Sequence, residues 1–165
     1  MAWTKRRRLG LALLVAWASA ALAAGDSEPE AIAVIIARNA PEQSLDKSAL
    51  AQIFLRKILL WGNGEAIHPV NLSAAHPLRR LFSQRVAGLA PEELEDYWND
   101  RYFHGVFPPY SVASEEAAIR YVSASDAAIG YVSPCAVDGR VRALLYLTTT
   151  GIAQGGNPSR YCPQR

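Results

Sequence analysis

The feature that most constrains the fold is an uninterrupted apolar run, AIAVIIA at Ala31–Ala37. A strand with one face in water alternates apolar and polar residues, whereas a strand covered on both faces is apolar throughout. The run therefore predicts a strand inside a sheet, with other elements packed on both of its faces.

Helical and strand-like segments alternate along the rest of the chain. Strand-like runs occupy residues 67–72, 127–132 and 141–147. Residues that favour helix ends stand between these runs, and they are Ser44, Pro77, Gly88, Pro91 and Ser114. The alternation predicts an α/β domain with a mixed, mostly parallel sheet that is flanked by helices.

Four aromatic residues recur at helical spacing after Pro91, namely Tyr97, Trp98, Tyr102 and Phe103. Apolar side chains at this spacing usually form the buried stripe of a helix. We therefore expect them to be core residues and not a stacking platform for a ligand.

The N-terminus has the order of a secretory signal peptide. A basic cluster at residues 5–8 precedes an apolar run at 9–18, and Ala21-Leu22-Ala23 fits the A-x-A cleavage pattern. This run is shorter than the roughly 20 residues that a membrane span needs, and no later stretch is long and apolar enough. We predict that residues 1–23 are removed on export to a periplasm, by the general or the twin-arginine route. Residues 24–30 are predicted to lead flexibly into the fold.

The basic character of the whole chain comes from this leader. The chain has 17 Lys and Arg against 15 Asp and Glu, and four of the basic residues lie at positions 5–8. Without them, 13 basic residues face 15 acidic ones, a net charge of −2. This balance argues against nucleic acid as a partner and against a general attraction to anionic membranes.

The mature chain of about 140 residues fits one domain, predicted at 31–147. In an oxidising compartment Cys135 and Cys162 are expected to form a disulfide, with two free thiols as the alternative. The bond would tie a loose C-terminal tail, residues 148–165, to the domain. No Cys-x-x-Cys pair or His cluster accompanies the cysteines, so no metal site is predicted.

No motif in the sequence indicates catalysis or a cofactor. The chain has no nucleophile elbow, Walker-type phosphate loop or dinucleotide fingerprint. Its acidic residues on helices are typical of solvated faces and do not suggest paired catalytic carboxylates. We predict a non-enzyme that uses no cofactor.

Three segments, taken in order, resemble a known family. They are IFLRK at residues 53–57 with Trp61 after it, SVASEE at 111–116, and AIGYV at 128–132. They resemble the periplasmic phosphate-binding proteins of ABC transporters, whose motifs read IFLGK…W and GAIGYV. The resemblance implies the type 2 periplasmic binding protein fold, of which this chain is similar to a single lobe. It also implies a link to ABC-type phosphate transport.

The resemblance further implies a ligand site in the turn after the strand at 67–72. In the family this turn is rich in Gly, Ser and Thr and binds phosphate through hydroxyls and amides at a helix N-terminus. Here Ala75, His76 and Pro77 replace residues of that kind, and Pro77 has no N–H to donate. The candidate anion-binding residues are Asn71, Ser73, Ala75, His76, Leu78 and Arg79.

Two functions remain open. The domain either binds phosphate or a similar small oxyanion at this turn, or it has no ligand and serves as an interaction or regulatory module for a protein partner in the cell envelope. A polar concavity at residues 73–79 would favour the first function. An apolar patch near Tyr102, Phe103 and Phe107 would favour the second. Dimerisation that rebuilds a two-sided cleft would restore ligand binding.

Overall fold

The computed structural model describes residues 31–41 and 43–162. The predicted signal peptide at 1–23 and the flexible segment at 24–30 lie outside the described residues. Within the described ranges, no helix has the length and apolarity that crossing a membrane requires.

The described residues form one mixed sheet with helices packed on it. The strands are β1 Ala31–Ala37, β2 His68–Leu72, β3 Tyr110–Val112, β4 Ala128–Val132, β5 Val141–Thr148 and β6 Gly151–Gln154. Their spatial order is β3-β2-β4-β1-β5-β6. The α-helices are α1 Lys47–Phe54, α2 Pro77–Ala87, α3 Glu95–Phe103 and α4 Glu115–Ser123, and short 3₁₀ turns lie at Glu92–Leu94, Pro134–Ala136 and Pro158–Arg160.

The α/β class and the mixed sheet are confirmed, but the sheet is not mostly parallel. β2 pairs in parallel with β3 and β4, whereas β1 is antiparallel to β4 and β5, and β6 is antiparallel to β5. The apolar run of β1 did not determine strand direction. Coverage of both faces produces such a run in a strand of either orientation.

β1 forms the buried centre of the sheet, as its sequence predicted. Its residues are all buried, and its first residue, Ala31, pairs with Thr148 at the end of β5. α4 packs across the neighbouring strands at Gly130 of β4. A Cβ at Gly130 would lie 2.8 Å from Val70 Cγ1 and 2.9 Å from Val122 Cγ2. The absence of a side chain therefore allows α4 to approach the sheet closely.

Three predicted helix signals are confirmed. Pro77 is the first residue of α2, Gly88 ends that helix in the left-handed conformation, and Ser114 caps α4. The predicted cap Ser44 is wrong, because the Asp46 carboxylate accepts a hydrogen bond of 2.7 Å from the first turn of α1. Serine and aspartate cap helices about equally well, so residue type alone did not decide between them.

The prediction that the aromatic residues of α3 are core residues is wrong. Tyr102 and Phe103 are 58% and 85% exposed, and Tyr97 and Trp98 are only partly buried. The four residues do have helical spacing. However, α3 packs mainly against the 3₁₀ turn that precedes it, so it does not bury a complete stripe.

The predicted disulfide joins Cys135 to Cys162, with 5.1 Å between the Cα atoms. The expectation that the tail at 148–165 is loose and held only by this bond is wrong. β6 pairs with β5, and the Tyr161 ring stacks on Tyr146 at 4.3 Å. A strand of four residues is too short to show a clear period, so its pairing was not visible in the sequence.

Candidate functional site

The predicted ligand residues lie where the parallel strands end. We call this side of the sheet the carboxyl edge, meaning the residues that directly follow β2, β3 and β4. Ser73 follows β2 and donates its N–H to the carbonyl of Val112, at 2.8 Å. His76 donates its N–H to the Ser73 carbonyl at 2.9 Å and closes what we call the Ser73–His76 turn. Ligands of open α/β sheets bind at this edge.

The amides at the start of α2 are already engaged. Pro77 has no N–H. The Leu78 N–H donates to His76 Nδ1 at 3.2 Å, and the Arg79 N–H donates to the His76 carbonyl at 2.9 Å. A helix N-terminus usually leaves such groups for a ligand. Here an anion could use them only by breaking bonds within the protein.

The turn itself retains donors. Ser73 is partly exposed, and Ala74 and Ala75 are exposed. In the part of the chain that the structure describes, no partner accepts from the N–H of Ala74 or Ala75 or from the Ser73 hydroxyl. Because His76 Nδ1 accepts a hydrogen bond, the neutral ring carries its proton on Nε2. Four donor groups of the turn therefore have no partner among the described residues.

The other predicted site residues are directed into the protein. Asn71 and Leu78 are 5% and 4% exposed, and the Nε atom of Arg79 is buried without a partner among the described residues. Asn71 and Arg79 line a cavity of about 20 Å³ with Ser83 and Trp98, which is roughly the space one water molecule needs. Phe54, Phe82 and Val86 also line this cavity, so Asn71 and Arg79 are polar groups in a largely apolar interior.

A buried tyrosine that the sequence did not single out, Tyr131, bonds to Asn71 and to the end of β2. The Tyr131 hydroxyl donates to Asn71 Oδ1 at 3.3 Å and accepts from the Leu72 N–H at 3.2 Å. Burial raises the pKa of Tyr131 to about 12, although the charge of Arg79 opposes this shift. The phenol is therefore protonated at neutral pH. Tyr131 belongs to the AIGYV segment, which does not by itself distinguish a polar role from a packing role.

A carboxylate also lies at the carboxyl edge. Glu115, the first residue of α4, accepts from the N–H and the hydroxyl of Ser133 at 2.6 and 2.7 Å. These bonds join the start of α4 to the end of β4, and the carboxylate adds negative charge to the edge. In the sequence, Glu115 lay within the SVASEE segment at 111–116 but was not singled out as a site residue. Among the residues described, no three His, Cys, Asp or Glu side chains are grouped to hold a metal ion.

Solved structures match this chain, whereas no protein-family model and no curated protein does. An ABC-type phosphate transport receptor from Vibrio cholerae is 20% identical with a TM-score of 0.53, over 68% of this chain and 44% of the receptor. A putative phosphate ABC transporter substrate-binding protein with bound phosphate, from Clostridium perfringens, is 24% identical with a TM-score of 0.57, over 71% of this chain and 46% of that protein.

The matches confirm the predicted resemblance at the level of fold. The chain has the fold of one part of these phosphate-binding proteins and spans less than half of the length of each. A shared fold can host different functions, so function has to be argued from the site.

Proposed function

We propose that the chain is an exported periplasmic domain that binds phosphate or a similar small oxyanion at the Ser73–His76 turn, without catalysis. The observation that supports this most strongly is the group of donors on the turn with no partner among the described residues, at the edge where α/β sheets receive ligands. The fold shared with phosphate-binding proteins supports the same ligand class by analogy.

Recognition would depend on hydrogen bonds to the oxygens of the anion. The N–H groups of Ala74 and Ala75, the Ser73 hydroxyl and the Nε2–H of His76 are the donors, and bonds to a charged acceptor are stronger than neutral ones. The positive end of the α2 dipole adds attraction. Arg79 adds positive charge near the end of β2, where its charge acts on Tyr131.

The affinity is expected to be low because the helix amides are engaged and the described residues contact the anion from one side. A hydrogen bond to a charged group is worth about 1.5–3 kcal/mol, and association itself costs roughly 4 kcal/mol or more. We therefore expect a Kd on the order of 1 mM.

A role beside an ABC transporter follows from the same analogy, since a structural neighbour is a phosphate transport receptor. The domain would then present or sense phosphate at a membrane protein of the envelope. Low affinity suits such a role where phosphate is abundant, because the occupancy of a site changes most when the phosphate concentration is near its Kd.

Isothermal titration of the mature, oxidised protein with phosphate and with sulfate tests the proposal. Ser73→Ala removes one donor. His76→Asn removes the Nε2–H but retains a residue type that caps helices well. We expect each substitution to raise the Kd about tenfold. Ser123→Ala, in the last turn of α4, is the matched control and should leave the Kd unchanged.

Two results would contradict the proposal. Binding that is insensitive to both substitutions would place the anion at another site. No heat and no thermal stabilisation at about ten times the expected Kd would exclude a useful anion site, because bound ligand must stabilise the folded state.

A second candidate function is an interaction or regulatory module for a protein partner in the envelope. The engaged amides of α2 and the exposure of Tyr102 and Phe103 favour it. The same titration separates the two functions. An intact fold by circular dichroism, together with no response to either anion, would favour this second function.

A further inference from the structure

A group of aromatic side chains is exposed on the surface away from the Ser73–His76 turn. Tyr102, Phe103, Phe107 and Tyr110 are 58%, 85%, 61% and 62% exposed, and we call them the aromatic face. The Tyr102 ring lies 6.1 Å from Phe103 and 5.3 Å from Phe107, measured between ring centroids. Exposed apolar clusters of this kind mark interaction sites.

An open groove of about 280 Å³ adjoins the aromatic face. Its lining is mixed. Phe107, Tyr110, Tyr121, Leu59 and Pro109 line it together with the polar residues Arg56 and His68. Tyr110 stacks on Tyr121 at 5.5 Å, which gives the groove one aromatic wall, and Leu59 is 44% exposed. Phe107 and Tyr110 belong to both the groove and the aromatic face, so the two are continuous.

The groove lies at the opposite end of the parallel strands from the predicted ligand site. His68, the first residue of β2, lines the groove, whereas Ser73 follows the last residue of the same strand. A molecule that covers the aromatic face therefore leaves the Ser73–His76 turn open. For this reason the inference does not depend on anion binding.

We propose that the aromatic face and groove bind a second copy of this chain in a two-fold symmetric dimer. Phe103, with most of its side chain in water, would insert into the partner's groove, and the partner's Phe103 would insert into the groove of the first copy. A two-fold interface has to be complementary to itself. A projecting aromatic side chain beside a groove with aromatic and aliphatic residues in its walls meets this requirement on one continuous surface.

The four exposed aromatic side chains provide about half of the area that one partner in a standard interface buries. An aromatic side chain carries roughly 150–250 Å² of surface, so four that are more than half exposed present on the order of 400 Å². One partner in a standard interface buries about 800 Å². The walls of the groove, which include Leu59, and the polar residues around the face provide the remainder.

Sedimentation velocity of the mature, oxidised protein over a range of concentrations tests the dimer. We expect a reversible monomer–dimer equilibrium. Phe103→Ser removes the inserted side chain and Leu59→Lys places a charge on the groove wall, and each should weaken dimerisation at least about tenfold. Leu89→Ser is the matched control, because Leu89 is 40% exposed but lies outside the face, and it should leave the equilibrium unchanged.

Mixing the two weakened variants tests the insertion itself. In a mixed dimer, the Leu59→Lys chain supplies an intact Phe103 and the Phe103→Ser chain supplies an intact groove, so one of the two contacts is restored. We expect the mixture to dimerise more strongly than either variant alone. A protein that is monomeric at all concentrations, a dimer insensitive to both substitutions, or a mixture without recovery would each overturn the proposal.

Discussion

His76 uses its two ring nitrogens for different purposes. Nδ1 accepts from the Leu78 N–H, which leaves the proton of the neutral ring on Nε2. The residue therefore engages one amide of the helix and presents one donor of its own. The sequence identified His76 as a candidate, but the rotamer of one side chain decides which amides stay free, and that rotamer depends on the folded surroundings.

Tyr131 permits a prediction at the residue scale. Tyr131→Phe removes the hydroxyl that bonds both Leu72 and Asn71, and two buried polar groups lose a partner. We expect the free energy of unfolding, measured by urea denaturation, to fall by about 1–3 kcal/mol. Tyr110→Phe, at an exposed tyrosine, is the control and should change it very little. Equal effects of the two substitutions would contradict the role given to Tyr131.

The pH dependence of the same substitution provides a further check. The pKa of Tyr131 is about 12 in the folded protein and about 10 in an unfolded chain. A raised folded-state pKa contributes stability that is complete below about pH 10 and is lost as the pH rises towards 12. The difference in unfolding free energy between the native protein and Tyr131→Phe should therefore shrink above about pH 10. A difference that stays constant there would contradict the shift.

At the scale of elements, the sequence predicted the segments whose signal extends over several residues, and it did not predict the short ones. The strand β1 and the ends of α2 and α4 could be predicted from the sequence, because several residues together form each signal. β3 and β6 have three and four residues, and their pairing depends on strands that are distant in the sequence. The sequence also did not reveal that aromatic side chains of α3 are exposed, because helical spacing does not show whether another element packs against the helix.

Gly130 tests how closely α4 lies on the sheet. Gly130→Ala would put a Cβ within 3 Å of methyl groups on Val70 and Val122. We expect the free energy of unfolding to fall by about 1–3 kcal/mol, as for other overpacked cores. Gly139→Ala is the matched control, because a Cβ at Gly139 meets no atom within 4 Å. No loss at Gly130 would show that the two elements separate easily.

At the scale of the whole molecule, the strands have different surfaces at their two ends. Polar donors and the disulfide lie towards the carboxyl edge, where Cys135 comes soon after β4. The groove beside the aromatic face lies at the amino end of β2. The sequence predicted the polar surface at the carboxyl edge only through the resemblance to a known family. It mentioned an apolar patch near Tyr102, Phe103 and Phe107 only as a feature that would favour the alternative function. Neither surface could be derived from the sequence directly, because each depends on which segments the topology brings together.

The disulfide gives a prediction at this scale. Cys135 and Cys162 are 27 residues apart, and closing a loop of this length stabilises a fold by about 3.5 kcal/mol on chain-entropy grounds. The double substitution Cys135→Ser and Cys162→Ser should lower the free energy of unfolding in guanidinium by about that amount. Reductant should destabilise the native protein to a similar extent and leave the double variant unaffected. An unchanged free energy would contradict this estimate.

The pairing of Ala31 with Thr148 has a consequence for how this fold can be combined with others. The chain enters the sheet at Ala31 and completes β5 one strand spacing away, about 5 Å. A polypeptide that leaves and returns at neighbouring points can be spliced into a surface loop of a host domain, because the loop ends need hardly move. A transplanted unit of the five strands from β1 to β5 would lack β6 and the Cys135–Cys162 disulfide, because both use residues beyond Thr148.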